Sequence, residues 1–141
     1  MPGLANPLYR VSIKALVLDN DKRFLLQKEE SGVWDLPGGG LEFGEKPKEA
    51  LEREVREEMG LRVFDISSKP DYFITVLFDK YKIWGANVIY KAKINNIENF
   101  TRSIECTETR FFSSKEALEN EDVLPNVKEF AKIYIYDESE K

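Results

Sequence analysis

Residues 9–18 are rich in β-branched and aliphatic side chains, and after the turn cluster Asp19-Asn20-Asp21 an apolar run resumes over 23–28. Two such runs joined through Asp and Asn read as a β-hairpin. Ser31-Gly32 interrupts the pattern, and a short segment through Val33 and Leu36 meets Pro37, whose missing N–H stops regular strand pairing. Beyond the glycines at 38–40 the period lengthens. Leu51, Val55 and Met59 recur at helical spacing, Pro47 has the preset φ of a first turn, and Gly60 suits a left-handed residue just past the last. The spacing predicts a helix over 47–59. Residues 61–66 read as a strand ended by Lys69-Pro70-Asp71. The aromatic and β-branched runs 72–78 and 83–94, joined through Asp79-Lys80, read as a second hairpin. The polar stretch 95–102 is expected to be loop, 109–112 a short strand and 114–119 a helical turn. Residues 125–136 read as a closing helix with Val127, Phe130, Ala131 and Tyr134 on one side, and 137–141 are expected to fray.

Strands mixed with two substantial helices predict an α/β fold, a mixed sheet covered on opposite faces in three layers. Periodicity alone does not choose its topology. At 141 residues the chain has the length of one ordinary domain, 1–141, able to bury roughly two thirds of its unfolded surface. A content of 42% apolar and 33% charged residues is that of a soluble globular protein, and no apolar run approaches the ~20 residues of a membrane span. No membrane partner is expected. Residues 1–10 lack a basic segment followed by an apolar one, so no secretory leader is read there and a cytoplasmic location is the expectation. The single cysteine, Cys106, excludes an internal disulfide and fits a reducing compartment. A net charge of −5 argues against nucleic acid as a partner, since its backbone demands clustered Lys and Arg. With no histidine, Ser-His and Cys-His hydrolytic machinery and imidazole metal sites are excluded.

The chain's acidity is concentrated: seven acids lie between Glu42 and Glu58. At ~100° per residue Glu54, Glu57 and Glu58 share one arc of a helix, beside the apolar stripe of Leu51, Val55 and Met59. Carboxylates so crowded repel one another unless a cation sits among them, and oxygen-only ligation suits Mg²⁺ or Mn²⁺. The bland reading is a solvated acidic helix. Two features oppose it. Arg53 lies one turn before Glu57, where it can hold that carboxylate, and the three successive glycines permit close approach of backbone to a ligand.

Residues 39–61 run Gly39-x5-Glu45-x7-Arg53-Glu54-Val55-x-Glu57-Glu58-x-Gly60-Leu61, which resembles the signature of the Nudix hydrolases at every specified position. Trp34-Asp35-Leu36-Pro37 and Ala50-Leu51 also look like the family, and beyond them the likeness is one of pattern. One departure is Lys46, where the family's pattern leads one to expect a Ser or Thr helix cap. The resemblance implies a Nudix-type three-layer α/β/α sandwich with the loop-helix-loop docked beside a mixed sheet. It also implies hydrolysis of a nucleoside diphosphate linked to another moiety, with water activated by a divalent metal. Carried over by position, Glu54, Glu57 and Glu58 are metal ligands, with Glu57 also a catalytic residue, and the Gly38 carbonyl completes the site. Arg53 and Glu45 become the pair that orients them, and Gly39 and Gly40 the backbone that meets substrate.

Substrate identity is less legible. Pro70 and Tyr72 come too early to match the Pro or Tyr that marks the family's ADP-ribose and diadenosine polyphosphate subgroups. Tyr72, Phe78, Tyr81 and Trp84 are candidate base-stacking residues, each weighed against an ordinary place in the core or on a strand. Asn126 is a candidate for reading a base edge, although an Asn at a helix start needs no such role. For the general base the candidate is Glu105, in Ser103-Ile104-Glu105-Cys106-Thr107-Glu108 ahead of Arg110-Phe111-Phe112, which resembles the family's acidic loop; Glu108 and Glu57 are the alternatives. The expected partner is a small nucleotide, and a homodimer is left open. Two other classes compete. A non-hydrolytic Nudix-fold binding or regulatory module would carry a degraded motif, and a prenyl diphosphate isomerase would need a catalytic Cys with metal-binding His.

Overall fold

The computed structural model describes residues 8–139. Residues 1–7, where most of the leader-free segment was read, and 140–141 of the tail lie outside them. Nine strands and three α-helices follow one another among the described residues. They are β1 (Arg10–Leu16), β2 (Phe24–Lys28), β3 (Trp34–Asp35), β4 (Gly38–Gly40), α1 (Pro47–Met59), β5 (Val63–Phe64), β6 (Tyr72–Phe78), β7 (Ile83–Lys91), β8 (Lys93–Ile94), β9 (Glu108–Phe112), α2 (Ser114–Glu119) and α3 (Pro125–Ser139).

The main sheet runs β4-β1-β7-β6, with β1 parallel to β7 and antiparallel to β4, and β6 antiparallel to β7. Antiparallel β3-β2-β9 and β5-β8 complete the strands. The first predicted hairpin does not form a ladder. Both edges of β1 are taken, by β4 and β7, so β2 pairs instead with β3 and β9; only the Leu18–Phe24 bridge and the bond from Leu25 N to Val17 O (2.9 Å) join the two runs. Hydrophobic pattern records burial and not partner, which explains the difference. The second hairpin is present as β6–β7, but its long second run divides at Ala92, and β8 turns away to pair with the two-residue β5. Residues 137–139, expected to fray, continue α3.

Helices cover opposite faces. On one, Leu51, Val55 and Met59 of α1 pack with Ile13, Ala15, Val17 and Leu25. On the other, Val127, Phe130, Ala131 and Tyr134 of α3 pack with Leu16, Phe24, Ile74, Val76 and Ile89. The result is the expected three-layer α/β/α arrangement, and no helix of the described residues is long and apolar enough to cross a membrane. Leu16 and Ala15 are both fully buried because β1 lies between the two cores, each successive side chain entering the opposite one.

Candidate metal and phosphate site

Two neighbouring elements, the glycine strand β4 and helix α1, build the site. Gly38 has φ +119°, and a Cβ there would collide with the Ile13 carbonyl, so only glycine lets β4 lie this close to β1. At Gly39 a Cβ would sit 2.6 Å from the Glu54 carboxylate. Burial of Leu51, Val55 and Met59 fixes the roll of α1 and thereby turns Glu54 and Glu58 toward this strand. Glu58 is 5% exposed and accepts a 2.9 Å hydrogen bond from the Gly38 N–H.

Arg53 organises the acids around it. Its Nε donates to Glu45 Oε2 (2.7 Å) and its Nη2 to Glu45 Oε1 (3.0 Å), a bidentate pair. Nη1 donates to Glu54 (2.9 Å) and Glu57 (3.2 Å), while Nη2 also reaches the Gly40 carbonyl at 3.1 Å. The hydrogen bond from Arg53 is the main reason the Glu45 carboxyl lies below the ordinary glutamate range. Arg53, bonded first to Glu45 and then to Glu54, is held still more firmly in its charged form.

Carboxylates of Glu54, Glu58 and Glu105 can bring one oxygen each within 4.8 Å of one another. Glu105 belongs there because Ser103 anchors its loop: the Ser103 hydroxyl donates to the Glu58 carbonyl (2.7 Å) and accepts from the N–H groups of Glu105 and Cys106 (both 3.2 Å). Glu57, with a side chain 55% exposed, lies outside this trio on the helix flank. Glu108 sits in β9 opposite Lys28 and is exposed. Burial pushes the Glu58 carboxyl up to about 8, against the pull of Lys14 and the Gly38 N–H, with the Glu54 charge raising it further. Glu54 is also raised, by burial first, with the Arg53 hydrogen bond opposing. An all-oxygen trio of buried Glu58, half-buried Glu54 and exposed Glu105, in which burial disfavours the ionised form of the first two, fits a hard divalent cation.

Behind β4 runs a second polar network. Buried Lys14 donates to Asp35 Oδ2 (3.0 Å), the Leu36 carbonyl (3.2 Å) and the Gly38 carbonyl (3.1 Å). Burial alone would lower the Lys14 pKa, but Asp35 and then Glu58 outweigh it and hold the ammonium above its usual value. Asn126, 1% exposed at the start of α3, donates through Nδ2 to Asp35 (2.9 Å) and Asn87 (2.8 Å), leaving its own Oδ1 without a hydrogen-bond partner. Hydrogen bonds thus connect α3 to Glu58 without a break, through Asn126, Asp35, Lys14 and Gly38. Sequence reading gave no role to Lys14, Asp35 or Ser103. A charged residue at an otherwise apolar stretch of strand, Ile13-Lys14-Ala15, was the available signal for the first.

The family model described as NUDIX domain matches residues 8–133. The chain belongs to the NUDIX domain family. Nucleoside triphosphatase NudI of Enterobacter sp. (strain 638) is 43% identical over 60 residues, which cover 38% of this chain and 43% of that protein. An RNA pyrophosphohydrolase of Francisella philomiragia subsp. philomiragia is 38% identical over 69 residues, 46% of this chain and 44% of that one. Each match therefore spans less than half of the relative's length. The crystal structure of the MutT protein from Methanosarcina mazei Go1 superposes with a TM-score of 0.72 at 24% identity, over 96% of this chain and 98% of that one, a likeness of fold. Within this Nudix domain the signature residues Glu45, Arg53, Glu54 and Glu57 form one hydrogen-bonded group, and Glu58 faces Gly38. Of the aromatic residues weighed for base stacking, Tyr72 packs edge-on to Phe130 in the core and Phe78 packs against it, whereas Tyr81 and Trp84 are exposed, Trp84 beside Tyr9.

Proposed function

We propose that this chain is a divalent-metal-dependent pyrophosphohydrolase. Its substrate is a nucleoside triphosphate or another nucleoside diphosphate derivative, cleaved to the nucleoside monophosphate and the remaining phosphate-bearing part. The observation that carries the reading is the convergence of Glu54, Glu58 and Glu105 within 4.8 Å beside a glycine strand. Those three would hold Mg²⁺, with Mn²⁺ as a substitute, and the ion when bound neutralises phosphate charge and lowers the pKa of water. Arg53 fixes the rotamers of Glu54 and Glu57, and Glu45 fixes Arg53 in turn. Lys14 donates to the Gly38 carbonyl, the oxygen read as completing the metal site, and Glu58 accepts from the Gly38 N–H, which together keep the adjoining Gly39 and Gly40 in place for a phosphate chain. Glu105, on a loop rather than the helix, either completes that ligand set or takes a proton from the attacking water; Glu57, nearer solvent, is the alternative base.

The two relatives are named for action on nucleoside triphosphates and on RNA. The acidity of this chain favours the smaller substrate. An intact acidic motif speaks against the non-hydrolytic module. Release of nucleoside monophosphate from a panel of nucleoside triphosphates, nucleotide sugars and dinucleotides should vanish in EDTA and return with Mg²⁺. Reaction in ¹⁸O-water should place label on a phosphorus other than the terminal one alone; label solely in inorganic phosphate would replace the proposal with a simple terminal phosphatase. Glu105→Gln should lower kcat at least tenfold and alter the acidic limb of its pH profile, while Glu108→Gln changes neither.

A further inference from the structure

Three cations touch the glycine strand, and they differ in what they are bound to. Lys14 spends its donors on Asp35, Leu36 and Gly38, and Arg53 on Glu45, Glu54, Glu57 and Gly40. Arg10, the first residue of β1, is exposed and has no hydrogen-bond or ion-pair partner among the described residues. Its guanidinium nevertheless lies against Gly40: a Cβ on that glycine would collide with Arg10 Nη2 and stand 2.8 Å from Cζ. Gly40 thus makes room for a charged group that the protein itself leaves unsatisfied.

Position adds a direction. Successive residues of a strand face opposite sides, so Gly39 abuts Glu54 on one side of β4 while Gly40 abuts Arg10 on the other. Gly85 lies opposite Arg10 on β7 with the Phe78 ring against it, and Ser12 lies between Gly40 and Asn87. A polyphosphate lying across β4 would meet carboxylates on the first side and the uncommitted guanidinium of Arg10 on the second. A planar guanidinium matches phosphate oxygens in two-point contact.

Resting on the pyrophosphohydrolase reading, we infer that Arg10 binds a phosphate of the substrate on the face of the glycine strand opposite the acidic trio, and that Gly40 is a glycine so that it can. Arg10 is a substrate-binding residue for the phosphate chain, independent of the base attached to it.

The probe is inorganic tripolyphosphate, titrated calorimetrically in excess Mg²⁺ into the full chain, with kcat and KM measured alongside on whichever nucleoside triphosphate turns over fastest. Arg10→Gln should weaken tripolyphosphate binding and raise KM by about tenfold to a hundredfold, with kcat changed much less. Arg10→Lys should restore part of the loss. Gly40→Ala, which displaces only the mobile end of Arg10, should reproduce the Arg10→Gln defect with Arg10 still present. Retention of the Mg²⁺-induced rise in Tm in each variant shows that the fold and the acidic trio are intact. Binding by Arg10→Gln within twofold of the parent overturns the inference, as does a parent chain that does not bind tripolyphosphate. A parent that binds tripolyphosphate through Arg10 yet hydrolyses no nucleotide overturns the proposed reaction and leaves this contact standing.

Discussion

Glu58 is asked to be buried and to be charged, and the fold meets both demands only partly. It is 5% exposed, with the Gly38 N–H and the Lys14 ammonium as its compensation. With its folded pKa pushed up to about 8, the metal-free protein favours the protonated carboxyl over the ionised form. Stability from this source is therefore complete below the ordinary glutamate value of ~4.3 and is lost as pH rises through the folded value, a loss of roughly 3 to 5 kcal/mol. In EDTA, Tm should fall steadily from pH 5 to pH 8.5, Glu58→Gln should flatten most of that slope, and Mg²⁺ should raise Tm most at the alkaline end. A flat profile for the parent in EDTA would remove the buried carboxylate from the account. Lys14 poses the reverse case, a buried cation already paired. Lys14→Met leaves half-buried Asp35 without its ammonium and should cost about 3 kcal/mol in urea unfolding, of which adding Asp35→Asn should recover a substantial part. Additive losses in the double variant would mean that the two residues act separately. None of this was visible in the signature, which names Glu58 but not the lysine that strand pairing brings beside it from β1; long-range pairing, and not spacing, joins Ile13-Lys14 to Gly38-Gly39.

Helices and the β6–β7 hairpin were legible, and the partners of β1 and β2 were not. Pro47 at the first turn and Gly60 at φ +67° bound α1 as the sequence reading expected, because both residues act through their own backbone geometry. The β1–β2 hairpin failed because each pairing of β1 is with a strand distant in sequence, and Glu105 joined Glu54 and Glu58 only through the Ser103 anchor, a contact no periodicity encodes. Capping gives a direct test at this scale. In α2, Ser113 accepts from the Glu116 N–H while the Glu116 side chain accepts from the Ser113 N–H, a closed capping box. In α1 the N-cap is Lys46, extended at φ −80° and ψ 149°, and it makes no side-chain cap bond although Glu49 stands at the matching third position. Lys46→Ser should therefore complete a second box and stabilise the chain by about 0.5 to 1.5 kcal/mol in denaturant titration, with no change in m-value. A destabilised variant would mean that Lys46 serves α1 in some way other than as its cap.

At the scale of the molecule, charge separates the two substrates that the relatives' names bring into view. The chain carries a net −5, with seven acids between Glu42 and Glu58, so a polyanion approaches against the protein's own field until it reaches the metal site and Arg10. Binding through so few cationic contacts leaves little counter-ion release to be suppressed by salt. For a small nucleotide at saturating Mg²⁺, kcat/KM should change by less than about threefold between 50 and 200 mM KCl, and any change should be upward as repulsion is screened. An enzyme that tracked an RNA backbone through six to ten phosphates would lose about a thousandfold or more over the same range. The measurement is made with one nucleoside triphosphate and one triphosphorylated RNA oligomer in parallel. A steep fall for the oligomer, together with a kcat/KM above that of the nucleotide at low salt, would show that the surface around α1 and β4 recruits nucleic acid despite its acidity, and would move the proposed substrate from the free nucleotide to the RNA end.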